Sequence, residues 1–376
     1  MDLDIVLDLE YNIINNLKED YMLQYMSARE AAQKWNVSQR RVSVLCAENR
    51  IPNVAMLGNM WIIPIDAEKP TDARKTTREK TNIKAHPFIK WAGGKGQLLE
   101  ILKSNLPTEM GTSIKKYAEP FVGGGAFLFA LLEEYELEEV YINDNNAELI
   151  NAYETIKNNC EPLMASLALI QDEYNSLSEE QQQSFYYEKR ERFNALDLSD
   201  NSRVEKSTLF IFLNKTCFNG LYRVNKKGKY NVPFGKRKEV SLFEAENLRR
   251  ISKLLQNVIV RTSDYHDVLD FADASTLVYF DPPYRPLNVT SGFTSYTEDQ
   301  FNDEDQKKLA KLFEALSNNG AKVMLSNSDP KNTNESDNFF DDLYAGFNIM
   351  RIEASRMINS NGASRGKIKE LLIKNY

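Results

Sequence analysis

Histidine and cysteine are nearly missing from this chain. Two histidines, His86 and His266, and three widely spaced cysteines, Cys46, Cys160 and Cys217, cannot supply the close ligand spacing of a zinc site or a disulfide framework. No metal is expected. No uninterrupted apolar segment approaches the roughly 20 residues that cross a bilayer, so no membrane partner is expected either. The N-terminus opens with acids and lacks a basic region, an apolar core and a cleavage site, which points to a cytoplasmic protein. An excess of positive charge is absent as well. The formal charge of −7 bears on solubility and says nothing of local surfaces.

With only 12 prolines in the chain, two in a row mark a place. They occur in Leu277-Val278-Tyr279-Phe280-Asp281-Pro282-Pro283-Tyr284. The apolar first half suits a strand buried on both faces of a parallel sheet. The prolines remove two donors and fix φ near −65°, so the strand ends there. Ligands of open α/β sheets bind just past the carboxyl ends of the strands. A carboxylate, a stiff carbonyl and a tyrosine ring at that spot can grip a flat heterocycle bearing an amino group. An isolated D-P-P-Y also suits a capped strand end with a surface tyrosine, so the rest of the chain decides.

Upstream, residues 1–66 form a first domain. The stretch to about Met26 reads as a helix or two. Ser27-Ala28-Arg29-Glu30 is a capping box, and it opens an amphipathic helix with Ala31, Ala32 and Trp35 before a turn at Asn36. A second helix near Ser38 carries Arg40 and Arg41 at its start. Ile51 to Ile65 alternates about Gly58-Asn59, a hairpin dipeptide. The pattern resembles the winged helix-turn-helix of excisionase and MerR-type regulators, with Arg40 and Arg41 as candidate DNA contacts. A helical protein-docking module is the alternative. Residues 67–84, rich in Lys, Thr, Asp and Arg, read as a linker.

Residues 85–150 and 246–376 read as one α/β domain. Lys90-Trp91-Ala92-Gly93-Gly94-Lys95-Gly96 precedes a helix and does not have P-loop spacing. Glu119-Pro120-Phe121-Val122-Gly123-Gly124-Gly125 reads as strand, glycine turn, helix. The next strand, Glu139 to Ile142, ends in Asn143-Asp144, about 20 residues past the glycines, where an acid can accept ribose hydroxyls. The dinucleotide fingerprint is incomplete, which favours a single-nucleoside ligand. Residues 151–245 read as a helical insertion, with a Gln/Glu/Ser-rich connection from Ser176 to Gln183. It ends in a segment where Phe218, Asn219, Arg223, Asn225 and Pro233 lie among lysines. From Arg203 to Lys238 ten basic residues face the single acid Glu205, and interleaved aromatics and asparagines favour a nucleic-acid surface. Strands follow at Val258 to Val260, ending near Asp264-Tyr265, and at Lys322 to Ser326. Phe347 to Ile352 and Ile368 to Ile373 read as a terminal hairpin, with Gly362 in its loop.

The ordered set K-W-A-G-G-K, E-P-F-V-G-G-G, N-D, N-G-L-Y-R-x-N…G-x-Y-N-V-P-F-G and D-P-P-Y resembles the Dam-type, α-group N6-adenine DNA methyltransferases of the D12 class. The likeness runs from His86 to the C-terminus. It implies a Rossmann-like methyltransferase sheet, S-adenosylmethionine as donor, and methylation of an adenine in double-stranded DNA, with GATC as the expected target. Carried across, it puts Trp91 and Lys95 at the methionine end of the donor. Glu119 and Gly123 to Gly125 would line the pocket, Asp144 would hold the ribose, and Asp264 and Tyr265 would approach the adenine ring. Lys90, Phe218, Asn219, Arg223, Asn225 and Pro233 match DNA-contact positions. Phe218 stands where relatives place an intercalating tyrosine. Either a restriction-modification or a solitary regulatory role fits. A restriction endonuclease acting on the same site would then be a partner without a stable complex, and the protein is expected to be a monomer in solution.

The chemistry follows from the amine. An adenine amino nitrogen is a poor nucleophile because its lone pair is delocalised into the ring. Hydrogen bonds from its N–H groups to Asp281 and the Pro282 carbonyl would localise that pair and aim it. The base must first leave the duplex, at a cost of a few kcal/mol, and stacking on Tyr284 would return about 1–3 kcal/mol. The loop from Pro286 to Tyr296 is expected to close over the site. The same logic suits an RNA or protein amine, and a donor-sensing regulator is a third reading. The basic segment favours DNA, and the presence of every catalytic position favours an enzyme.

Overall fold

The computed structural model describes residues 25–48, 50–58, 60–70, 84–199, 201–285, 301–355 and 367–376. The chain divides into two units, Met1–Asn82 and Ile83–Tyr376. In the first, strand β1 (Tyr25–Ser27) leads into helix α1 (Ala28–Lys34), then α2 (Gln39–Ala47), β2 (Ala55–Leu57) and β3 (Met60–Pro64). The three strands make an antiparallel sheet in the order β1-β3-β2. Ser27 Oγ accepts from Glu30 N at 3.3 Å and Glu30 Oε2 from Ser27 N at 2.7 Å, a reciprocal cap for α1. Asn36 turns the chain at φ 51°, and Ser38 caps α2. Ala31, Ala32, Trp35, Val42, Leu45 and Ile63 form the small core. Tyr25 and Met26, read above as the end of a helix, belong to β1, because their backbone pairs with Pro64 and Ile63. The rest of that stretch lies outside the described residues, as do Asn59, most of the linker, Gly362 and the loop from Pro286.

The second unit is built on a seven-stranded sheet. Its elements are α3 (Leu99–Ser104), β4 (Lys116–Glu119), α4 (Ala126–Glu134), β5 (Glu139–Asn143), α5 (Ala147–Asn158), α6 (Cys160–Ser176), α7 (Glu179–Ala195), α8 (Arg203–Thr216), α9 (Ala245–Leu255), β6 (Val258–Arg261), β7 (Thr276–Phe280), α10 (Asp303–Asn318), β8 (Lys322–Ser328), α11 (Phe339–Leu343), β9 (Asn348–Ser355) and β10 (Lys367–Lys374). The strand order is β6-β5-β4-β7-β8-β10-β9. The first five strands run parallel, and β10 runs antiparallel to both β8 and β9.

All of β7 is buried. Alternation sends Leu277 and Tyr279 into the core shared with α4, and Val278 and Phe280 into the core shared with α10. That double burial is why the run is apolar without a break. The direction of winding reverses at β4, which lies between β5 and β7. The crevice beyond the ends of β4 and β7 is therefore the topological switch point of the sheet.

Two sequence expectations change in the insertion. The polar stretch after Ser176 is not a long connection: α7 begins at Glu179, with Ser178 as a capping-box residue. Its polar composition belongs to a helix that buries only a narrow face through Gln182, Phe185, Tyr186 and Phe193. Lys206 is not part of a basic surface. Its side chain is buried, and Nζ donates to the Phe193 carbonyl at 2.8 Å and the Leu196 carbonyl at 3.0 Å. Those bonds hold the end of α7 against α8. No helix among the described residues is long and apolar enough to cross a membrane.

Candidate active site

Three turns meet at the switch point. The first follows β4. Gly123 and Gly125 have φ of 48° and 70°, a region that side chains with a Cβ rarely adopt. Space is the second constraint: a Cβ on Gly123 would come 2.8 Å from Trp91 Cδ1, and one on Gly125 would come 2.5 Å from Tyr153 Oη. Asp144, at the end of β5, reaches into this turn. Its Oδ2 accepts from Gly123 N at 3.2 Å and its Oδ1 from Asn146 N at 2.9 Å. Burial nevertheless pushes its carboxyl above the usual range. Trp91 packs on Tyr222 with ring centroids 5.6 Å apart, so the edge of the insertion braces the glycine turn.

Glu119 closes β4 and is buried beneath the site. It accepts from Tyr117 Oη at 2.8 Å. Burial outweighs that bond and raises its pKa to about 8, so at neutral pH it is held mostly as the acid.

The second turn follows β6. Asn143 Oδ1 accepts from Ser263 N at 2.8 Å and its Nδ2 donates to the Ser263 carbonyl at 3.0 Å. This pair fixes the backbone just before Asp264. Asp264 caps the next short helix and lies 2.6 Å from His266 Nδ1. Tyr265 packs on Phe121, 5.1 Å between centroids, and Phe301 contacts both rings. The result is an aromatic wall on one side of the crevice.

The third turn carries Asp281. Lys95 is buried, and its Nζ sits 2.7 Å from Asp281 Oδ1, 2.8 Å from the Gly93 carbonyl and 4.7 Å from the centroid of the Tyr284 ring. The lysine thus meets the D-P-P-Y turn directly, a contact between segments far apart in the chain that no local pattern announces. Asp281 Oδ1 is buried and meets the Lys95 ammonium in a close ion pair. Burial raises the pKa of Asp281 and the Lys95 cation opposes the rise. A carboxylate with one oxygen on the lysine is therefore held in place beside an aromatic ring.

The segment after α8 is pinned to the same region. Asn214 accepts from Lys90 N and donates to the Lys90 carbonyl, each at 2.9 Å. Phe218 stands out at 51 % exposure, next to Asn219 at φ 58°, and its N donates to the Pro233 carbonyl at 2.9 Å. Arg223 Nε donates to Asn231 Oδ1 at 2.7 Å. Asn225 Oδ1 accepts from Lys227 N and Lys229 N at 2.9 and 3.1 Å, closing a tight turn. In the first unit Arg40 is exposed at the start of α2, with Arg41 beside it. Sequence reasoning missed the orienting roles of Asn143, Asn214 and Asn231, since asparagines in a loop carry no signal of what they will bond.

Residues 91–358 match the profile described as D12 class N6 adenine-specific DNA methyltransferase. Type II methyltransferase M.MjaIII of Methanocaldococcus jannaschii is 50 % identical over 296 residues, 78 % of this chain and 100 % of that protein. Type II methyltransferase M1.LlaDCHI of Lactococcus lactis subsp. cremoris is 37 % identical over 300 residues, covering 79 % and 98 %. DNA adenine methylase of Escherichia coli K12 is 35 % identical over 291 residues, covering 77 % and 95 %. With the profile spanning most of the second unit and these relatives covered almost end to end, the chain belongs to the D12 class of N6 adenine-specific DNA methyltransferases.

Proposed function

We propose that this methyltransferase modifies N6 of an adenine turned out of duplex DNA within GATC, with Asp281, Pro282 and Tyr284 holding the base. One observation carries the reading: a carboxylate held by the buried Lys95 lies past β7 at the switch point, beside a tyrosine ring. An amine with two N–H groups suits that carboxylate and the neighbouring Pro282 carbonyl. Asp281 accepts one N–H, the carbonyl accepts the other, and the nitrogen lone pair is turned out of the ring plane toward the attack line. Tyr284 offers a face for stacking, which offsets part of the cost of extrusion.

The residues present fit S-adenosylmethionine. The cradle at Gly123 and Gly125 has no room for a Cβ, and Asp144 stands at the end of β5 where ribose hydroxyls would be accepted. Tyr265 and Phe121 offer a flat wall for an adenine ring, with Asp264 near its edge. Trp91 and Lys95 would take the methionine end, beside the proton-bearing Glu119. When bound, this group supplies an electrophilic methyl on a sulfonium. The chain's own task is to exclude water and align the amine.

For target reading, Phe218 would enter the base stack, Arg223 would read a guanine, and Lys90, Asn219, Asn225 and Pro233 would line the duplex. Asn231 orients Arg223 in advance. Arg40 and Arg41 would add DNA contacts from the first unit. Incubating the protein with labelled donor and duplexes carrying or lacking GATC, then mapping the modified adenines, tests this. Methylation confined to another sequence rejects the target. Near-normal turnover by Asp281→Ala, where a loss of about 3 kcal/mol or more is expected, rejects the mechanism.

A further inference from the structure

Every residue after Pro282 in the catalytic turn is held from outside. The Pro283 carbonyl accepts from Gln306 Nε2 of α10 at 3.2 Å, and Gln306 Oε1 accepts from Asn327 Nδ2 of β8 at 3.1 Å. Both amides are fully buried. The Arg285 carbonyl accepts from Ser328 Oγ at 3.0 Å, while its guanidinium donates to Asp303 at 2.7 Å and Asp337 at 2.8 Å. Tyr284, between them, is tied from a third element. Its Oη donates to Glu370 Oε2 of β10 at 2.7 Å.

Backbone pairing on both sides sets the place of Glu370. It lies opposite Ser328 of β8 and Ile352 of β9, so the backbone that carries the carboxylate cannot shift without unzipping two ladders. A tyrosine side chain has two rotatable torsions. Oη lies on the axis of the second torsion, so the Glu370 bond stops the ring from swinging about the first, while the Lys95 cation over one face limits its turning about the second. A hydrogen bond to a charged acceptor is also among the stronger ones available.

We propose that Glu370 is a positioning residue for methyl transfer: its carboxylate holds the Tyr284 ring at the place where the extruded adenine stacks. It acts through the tyrosine and touches neither base nor donor. The inference rests on the reading of the Asp281–Tyr284 turn as the adenine site. A ring free to swing leaves that place part of the time, so the stacking contribution and the alignment of the amine both suffer when the tie is cut.

The test uses full-length wild type, E370A, E370Q, Y284F, the Y284F/E370A double variant and D281A, on duplexes with adenine or 2-aminopurine at the target. E370A should lose roughly tenfold to a hundredfold in kcat/KM. The emission of 2-aminopurine in its complex should rise, because the extruded base loses a quenching ring. E370Q keeps an acceptor for Oη and should recover most of both. The double variant should be no slower than Y284F alone. Wild-type behaviour of E370A overturns the proposal. So does a loss that adds in full to that of Y284F, or one that E370Q does not recover while emission stays unchanged. Thermal melts identify misfolding, and the E370Q and Y284F comparisons stand even where E370A fails to fold. Turnover by D281A would sink the site itself, whereas an inactive D281A beside an unaffected E370A sinks only the role of Glu370.

Discussion

Replacing Lys95 with methionine keeps the volume of the stem and deletes the cation, which isolates the electrostatics of the Asp281 carboxylate. Asp281 is a strong acceptor for an amine when ionised and a much weaker one when protonated. Its pKa is raised by burial and drawn back by Lys95. An opposite charge within about 4–6 Å lowers a carboxyl pKa by roughly 1–3 units, and this one stands at 2.7 Å. Because 19 % of the Asp281 side chain still reaches solvent, water tempers the effect. Removing the cation should raise the pKa of Asp281. The ionised fraction falls as pH drops through the pKa. The acid limb of kcat/KM for DNA therefore moves to higher pH, each tenfold fall in the ionised fraction costing about 1.4 kcal/mol, and K95M recovers part of its activity as the pH is raised. The assay is a pH profile on a duplex with one target site at saturating donor. Lost contact with the donor appears separately, as a raised KM for donor. An acid limb at the wild-type position, under a uniformly lower plateau, would refute the electrostatic argument.

The buried acid Glu119 makes a stability prediction. Its folded pKa of about 8 lies above the ordinary carboxylate value of 4.5. Its contribution is therefore complete below about pH 4.5 and is lost as pH rises through about 8, to a ceiling on the order of 4–5 kcal/mol. Glu119→Gln mimics the protonated form, so denaturant melts of the donor-free protein between pH 5 and 9 should show a flatter decline than wild type; parallel declines would contradict this. Arg223→Ala should forfeit about 1–3 kcal/mol of discrimination at one guanine, and Asn231→Ala should reproduce part of that loss in a competition assay over base-substituted sites. If sequence preference stays intact in both, Arg223 does not read the base. Gly125→Ala sets a Cβ 2.5 Å from Tyr153 Oη at a φ of 70°, and should cost about 1–3 kcal/mol of stability together with donor affinity measured by calorimetry. Wild-type donor affinity would show that the turn does not line the pocket.

What could be read in advance divides along a physical line. Hydrophobic runs, capping boxes and glycine turns are local, because period and backbone torsion depend on near neighbours. Accordingly β4, β5, β7 and β8 and the turn at Gly123 to Gly125 stand close to where the residues put them. Compositional inference failed where a polar residue does structural work. The Gln/Glu-rich start of α7 resembles a loop, and buried Lys206 resembles a surface charge until the carbonyls it satisfies are known. The site itself splits the same way. Asp281 and Tyr284 announce themselves by the two prolines between them, yet the groups that govern them come from far along the chain. Lys95 arrives from a turn before β4, and Glu370 from an antiparallel strand whose sequence, Lys-Ile-Lys-Glu-Leu-Leu-Ile-Lys, alternates too weakly to reveal which side chain reaches the crevice. Its partner is fixed by the register of β10 against β8 and β9, a property of the assembled sheet and not of any local stretch. A catalytic motif can thus be read as a string of letters, whereas the constraints that hold it in one orientation belong to tertiary pairing.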